Sequence, residues 1–242
     1  MNRLLDDLRI GTWRVQCYDC VGSTNDVVRG AAADEPRVVV VADEQTAGRG
    51  QQGRRWESPP GANLLCSIRI PTGALAAAEL VSLGAGIAVC RVLQEHHLNA
   101  QCKWPNDVLV DGAKIAGMLV EQVQTTTIIG IGLNLNWPVA RQTGTDDAVW
   151  TSMRAETGIT GERRHILEQL LIAWDACMSA DAAVLLAGYR RCWHKPARVR
   201  VRCGDDWQAA CVCDVNDTGA LAVQLSNGRL HTVSSSAQLL QA

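Results

Sequence analysis

Short apolar runs rich in branched residues alternate with polar, glycine-bearing stretches through the first half of the chain, a pattern of strands joined by loops. Thr12 to Cys20 reads as a first strand, Arg37 to Asp43 as a second, and Asn63 to Ile70 as a third. Ser23-Thr24-Asn25-Asp26 supplies a cap signature for a helix from Val27 to Ala33. Pro71 to Gly73 breaks the pattern. Leu80, Leu83, Ile87 and Cys90 then recur at helical spacing and predict a long helix over Ala76 to Glu95. Gln101 to Trp104, Val108 to Val110, Lys114 to Gln122 and Thr125 to Leu135 read as strands, with Asp111-Gly112 as a hairpin turn. Gly144 to Val149 is polar and reads as loop. Ile166, Leu167, Leu170, Leu171, Trp174 and Met178 mark a second long helix, and Leu185 to Trp193 a third. His194-Lys195-Pro196 stops it. Short alternating strands follow, at Val199 to Val201, Ala209 to Asp214, Ala220 to Leu225 and Leu230 to Val233. This predicts two units, residues 1–195 and 196–242. The second, a small β-barrel of about 45 residues, is too small to be very stable alone and should dock on the first.

The stretch from Ala42 to Asn63 lies between two strands and carries Gly48, Gly50, Gly53 and Gly61 with Arg49, Arg54 and Arg55. Glycines let backbone N–H groups turn inward, and arginine adds forked donors, so the loop suits a negatively charged ligand. A flexible basic hairpin without a ligand is the plainer alternative, and the loop alone does not choose between them.

Composition narrows the classes. The net charge of -2 gives no bulk basic character for nucleic-acid binding. No apolar run approaches the roughly 18–20 residues of a membrane span. Met1 to Ile10 lacks the apolar centre of a signal peptide, so the expected location is the cytoplasm. The ten cysteines include Cys17-x-x-Cys20 and Cys211-x-Cys213. The first pair falls in a strand, where its side chains point to opposite faces, and the second lacks a partner pair. Cys66, Cys90 and Cys177 sit among apolar residues, so reduced, mostly buried thiols are expected rather than zinc or disulfides.

Six motifs together resemble the biotin–protein ligase family: Ser23-Thr24-Asn25, Q-T-A-G-R-G-x-x-G-R-x-W from Gln45, S-P-x-G-A-N-L from Ser58, K-W-P-N-D from Lys103, K-I-A-G-M-L-V-E from Lys114 and G-I-G-L-N-L-N from Gly130. The resemblance runs from about Trp13 to the C-terminus and is strongest from Ser23 to Asn136. It implies an α+β fold in which helices pack on a mixed β-sheet, of the class II aminoacyl-tRNA-synthetase-like kind, with a small C-terminal SH3-like β-barrel. It further implies an ATP-dependent ligase. Biotin would be activated to biotinyl-5′-AMP and then transferred to a lysine of a biotin carboxyl carrier protein of acetyl-CoA carboxylase.

The family's roles carry over onto matching positions. Lys103 and Arg49 would be catalytic, Lys103 between the biotin carboxylate and the phosphate oxygens. Ser23, Thr24, Asn25, Gln45, Gly50 and Gln51 would face biotin, with Gly117, Gly130 and Gly132 flooring the slot. Gly48, Arg54, Trp56, Asn63, Lys114 and Asn134 would serve ATP, the two asparagines reading the adenine edge. Trp56 stacking on adenine is balanced by simple core packing, and Lys114 reaching phosphate by capping a hairpin. No protein metal ligands are expected, although Mg²⁺ should accompany ATP. Neither DNA nor membrane is an expected partner, and homodimer formation stays open. Two departures stand out: Gln51 occupies a position that is often arginine, and a dozen residues before the first strand leave no room for a helix-turn-helix module, as in a ligase-only form. Three competing functions are a lipoate–protein ligase, a biotin-responsive binding protein without ligase activity, and a nucleic-acid binder using Arg198, Arg200 and Arg202 on one face of the barrel.

Overall fold

The computed structural model describes residues 2–31, 35, 37–71, 78–124, 126–137, 142–143 and 149–241. The elements in order are β1 (Leu4–Ile10), β2 (Trp13–Val21), α1 (Thr24–Arg29), β3 (Val38–Gln45), β4 (Leu64–Pro71), α2 (Ala78–Glu95), β5 (Ala100–Lys103), β6 (Asp107–Val110), β7 (Ala113–Val123), β8 (Thr126–Leu133), β9 (Gln142–Thr143) and β10 (Val149–Trp150). Then come α3 (Met153–Thr157), α4 (Arg163–Met178), α5 (Ala182–Cys192), β11 (Arg198–Cys203), β12 (Asp206–Val215), β13 (Leu221–Leu225), β14 (Leu230–Val233) and β15 (Leu239–Gln241).

The valine run of β3 lies in the middle of the large sheet, where both faces are covered and an unbroken apolar strand is stable. That sheet has the order β1-β2-β3-β4-β8-β7-β10-β9, with β6 also on β7 and β5 on β6. β2–β3 and β7–β10 are parallel and the remaining pairs antiparallel, so the sheet is mixed, as expected. Helix α2 is buried along most of its length and packs against α4 and α5. Gly84 admits the Met178 methyl, which a Cβ there would meet at 2.3 Å. No helix of the described residues is long and apolar enough to cross a membrane.

The C-terminal strands form a second, five-stranded antiparallel sheet, β14-β13-β12-β11-β15. Arg198, Arg200 and Arg202 point outward while Val199 and Val201 are buried. Apolar residues of both sheets belong to one continuous core. The second sheet is also tied to the first by polar contacts. Trp104 Nε1 donates to Gly219 O (3.0 Å), and Arg190 pairs with Asp214 (2.9 Å).

Five elements depart from the sequence reading. β1 precedes the predicted first strand. Its Leu-Leu-Asp-Asp-Leu-Arg-Ile pattern does not alternate, because it is an edge strand with Leu4 and Leu5 exposed. β10 takes in Val149, where the polar pattern predicts loop; residues 144–148 lie outside the described set, as do Thr72 and Gly73. α3 and β15 are too short to show a period. The first helix spans Thr24–Arg29 rather than Val27–Ala33, and Ala32 and Ala33 are outside the described residues, as are Ala76 and Ala77 at the start of α2.

Candidate functional site

A cleft of about 760 Å³ opens over the large sheet, a size suited to a small organic ligand. Four sequence segments that are far apart in the chain converge on it: Ser23 to Asn25, Gln45 with Arg49 to Trp56, Lys103 to Asp107, and Gly130 to Gly132. Lys114, Gly117 and Trp150 also line it, and Trp207, Ser236, Ala237 and Leu239 of the second sheet close one side.

One wall is a buried polar network. Gln45 Oε1 accepts from the Thr24 backbone N–H (2.8 Å) and from Thr24 Oγ1 (3.0 Å). Ser67 Oγ lies 2.7 Å from Thr24 Oγ1 and 2.6 Å from Asn25 Oδ1. Gly130 keeps this wall open, since a Cβ there would sit 2.5 Å from Asn25 Oδ1. Asn25 Nδ2 is buried and has no hydrogen-bond partner among the described residues, so this wall offers an unused donor. The sequence reading missed Ser67, whose signal was a lone hydroxyl inside an apolar strand.

The opposite side is the glycine–arginine loop, folded into a small hairpin by Gly50 N–H to Arg54 O (2.8 Å) and Trp56 N–H to Gly48 O (3.0 Å). Its turn, Gln51–Gly53, places Gln52 at φ 58° and Gly53 at φ 74°, left-handed backbone that costs little only at glycine. Arg49 makes a two-pronged pair with Asp26 (2.7 and 2.8 Å) and reaches Glu121 (3.4 Å), which Arg29 also holds (2.7 Å). The Arg49 hydrogen bonds hold the Asp26 carboxyl below its usual range, and Asp26 in turn pushes the guanidinium's proton affinity up. The sequence places Asp26 in a helix-cap signature and Glu121 at the end of a motif, but gives neither a role at the site. Ser236 Oγ lies 2.6 Å from Gln51 Oε1 and 3.0 Å from Gln52 Nε2, so both glutamines grip the second sheet. The loop also borders an adjoining cavity of about 920 Å³, shared with Ser234 to Ser236 and Glu121.

Between these sides lies the K-W-P-N-D turn. β5 ends at Lys103 and β6 begins at Asp107, with Lys103 paired to Asp107 across the hairpin and a cis peptide at Trp104–Pro105. Buried Trp104 anchors the turn, and Asn106 Nδ2 donates to Met118 O (2.9 Å). Lys103 reaches the cleft wall from this framework. Lys114 binds Asp107 (2.8 Å) and stands 5.0 Å from the Trp150 ring centroid.

One expectation needs correction. Asn63 and Asn134 do not present an edge to the cleft. Both are fully buried, Asn63 Nδ2 donates to Asn134 Oδ1 (3.0 Å), and Asn134 Nδ2 donates to Thr151 O (3.0 Å). They clasp the end of the β4–β8 pair. Gly117 and Gly132 line the cleft and also make room for Trp56, since a Cβ at Gly132 would lie 2.4 Å from its ring and one at Gly117 2.9 Å. Trp56 itself is 8% exposed, is tilted against Trp150 at 5.3 Å and lines the cleft. Gly48 serves the loop's own backbone, with Trp56 O 2.5 Å from where its Cβ would be.

The model of the biotin/lipoate A/B protein ligase family matches residues 18–136. A biotin–[acetyl-CoA-carboxylase] ligase of Paracoccus denitrificans is 33% identical over 207 residues, 78% of this chain and 85% of that protein. One of Mycobacterium tuberculosis is 38% identical over 146 residues, 55% of each chain. The chain spans about half the length of several curated relatives it matches, 55% and 50% for two of them. A solved biotin protein ligase from Aquifex aeolicus, in complex with biotin and ATP, superposes with a TM-score of 0.82 at 22% identity, covering 94% of this chain and 99% of that one. At that identity the likeness fixes the fold, and it extends through the second sheet.

Proposed function

The chain belongs to the biotin–protein ligase family, and from that premise we propose that it activates biotin with ATP and transfers it to a lysine of a biotin carboxyl carrier protein of acetyl-CoA carboxylase. The observation that carries this reading is the convergence of Lys103, the Ser23–Asn25 wall with Gln45, and the arginine loop on one cleft.

In the first step a biotin carboxylate oxygen attacks the α-phosphorus of ATP, and pyrophosphate leaves. In the second, the acceptor lysine's amine attacks the acyl carbon, AMP leaves and the amine loses a proton to solvent. Neither step needs a protein nucleophile. It needs charge compensation in a closed site and correct positioning. The buried network of Thr24, Asn25, Gln45 and Ser67 supplies fixed donors and acceptors for a neutral polar ring, with the Asn25 amide donor to spare. Lys103 supplies a cation at the junction of carboxylate and phosphate. Arg49 reaches the same anions by exchanging Asp26 and Glu121 for them, and Arg54 and Lys114 flank the phosphate path. Trp56 and Trp150 offer apolar faces to the base.

Mg²⁺ enters with the nucleotide's phosphates in this scheme. Asp26, Glu121 and Asp107 are already paired to arginine or lysine, and no group of three oxygen ligands gathers among the described residues. The residues therefore fit a phosphate-borne ion rather than a protein-held one. DNA and membrane have no part in the scheme, residues 1–195 and 196–242 act as catalytic and supporting units, and the reaction needs no second copy of the chain.

Biotin-dependent ATP–pyrophosphate exchange, with lipoate as control, tests the reading. Exchange with biotin alone is the expected result. Exchange with lipoate alone, or none, overturns it.

A further inference from the structure

Three cysteines outside the cleft come together from three elements: Cys90 of α2, Cys102 of β5 and Cys192 at the end of α5. Cys102 Sγ lies 3.5 Å from Cys90 Sγ and 3.5 Å from Cys192 Sγ, and all three sulfurs are within 4.8 Å of one another. All three are free thiols. Gly86 leaves room for the cluster, since a Cβ there would approach Cys102 Sγ to 3.1 Å. Cys90 and Cys102 are fully buried, while Cys192 is partly exposed and gives an edge for entry. The Tyr189 hydroxyl, one turn before Cys192, is buried without a partner among the described residues.

We propose that Cys90, Cys102 and Cys192 form a three-thiol site for a trivalent thiophilic centre, with arsenic(III) as the probe. The argument rests on coordination number and charge. Soft thiolate sets select soft ions. Structural zinc wants four ligands, and this cluster offers three. Three thiolates around a divalent ion would leave a net negative charge, and around a monovalent ion a larger one, in an apolar interior where unpaired charge is costly. A trivalent centre closes with three thiolates at zero net charge. The exchange balances. Arsenious acid, As(OH)₃, loses three As–O bonds, the thiols lose three S–H bonds, three As–S bonds form and three waters leave. Nothing is oxidised or reduced.

The site is independent of the ligase reading, although it lies directly behind Lys103 in β5. Bound arsenic would staple α2, β5 and α5 together and raise the melting temperature, because only the folded chain brings the three sulfurs together.

The reduced full-length chain is incubated with arsenite and examined by native mass spectrometry, with alkylation mapping of protected cysteines. The expected result is one arsenic gained and three hydrogens lost, no oxygen retained, with Cys90, Cys102 and Cys192 shielded. Cys211→Ser/Cys213→Ser should keep the adduct, and Cys192→Ser should lose it. No adduct, an adduct that retains oxygen, or shielding of Cys17, Cys20, Cys211 or Cys213 instead would overturn the proposal. Mapping in the unmodified chain decides the matter even if Cys192→Ser folds poorly.

Discussion

The two sides of the cleft are built on opposite principles. The Thr24–Asn25–Gln45–Ser67 side is largely buried and locked by hydrogen bonds between strands and a helix start, with the Asn25 Nδ2 donor left over. The Arg49–Arg55 side is more open, and its cations rest on partners that an anion could replace. A locked polar wall is suited to a neutral ligand whose shape and hydrogen bonds are fixed, because its groups pay no ordering cost on binding. Exchangeable ion pairs are suited to charge that arrives and departs during a reaction. Exposed pairs are worth little each, so swapping them is cheap. Lys103 stands between the two sides, on neither the locked wall nor the loop.

The largest test acts on that junction. Lys103→Ala should leave the fold intact and cut adenylate formation by two to three decades, since losing a principal charge contact in a closed site costs roughly 3–4 kcal/mol. Biotinyl-5′-AMP formed at near the parent rate would remove Lys103 from the mechanism.

The next test asks how tightly the floor is packed. Gly132→Ala places a methyl 2.4 Å from the Trp56 ring, which must tilt or shift. Overpacking of this kind costs about 1–3 kcal/mol. Thermal melts should show that loss, and Trp56→Ala in the Gly132→Ala background should recover part of it. Equal melting of Gly132→Ala and parent would show that Trp56 yields freely, making the floor as compliant as the loop.

The contrast between the sides also explains what could be read from the chain. Mixed-sheet strands, the two long helices and the four converging segments were legible, because the valine run of β3, the spacing of α2 and the motif residues depend on local pattern. Roles that depend on who sits opposite were not. Asn63 and Asn134 carry the same side chains whether they face a ligand or each other, and only their packing shows the clasp. Gly132 signals a close approach, but not that Trp56 makes it. Asp26 and Glu121 are ordinary surface carboxylates in sequence, and the pairing with Arg49 joins positions far apart in the chain.

A smaller effect belongs to the exchangeable pair itself. Asp26 is held below the usual carboxylate range by Arg49. A depressed folded-state pKa adds stability above the unfolded value, near 3.9, and loses it as pH falls through the folded one. Both side chains are more than a third exposed, 38% and 46%, so the contribution is screened. It should stay under about 1 kcal/mol. Asp26→Asn should therefore flatten the melting profile only at acid pH. At neutral pH it should lower the KM for biotin or ATP, because Arg49 has one fewer partner to give up. An unchanged KM would mean that Arg49 does not exchange.

The smallest expected effect sets two consequences of one substitution against each other. Gln51→Arg adds charge to the loop, and hydrogen bonds to charged groups contribute roughly 1.5–3 kcal/mol against about 1 for neutral pairs. Taken alone, that gain would slow escape of biotinyl-5′-AMP by about a decade, at 1.4 kcal/mol per decade. Arginine has no acceptor, however, and Gln51 Oε1 is what Ser236 Oγ binds at 2.6 Å. Losing that grip costs about 0.5–1.5 kcal/mol of loop tethering. The two terms nearly cancel, so a chase of preformed enzyme–adenylate should show release slowed by about threefold or less. In a Ser236→Ala background the grip is already gone, and the same substitution should then show the full decade. If Gln51→Arg changes release equally in both backgrounds, Ser236 does not tether the loop. If it speeds release in the Ser236→Ala chain, charge at position 51 does not hold the adenylate, and retention rests with Arg49, Arg54 and Lys103.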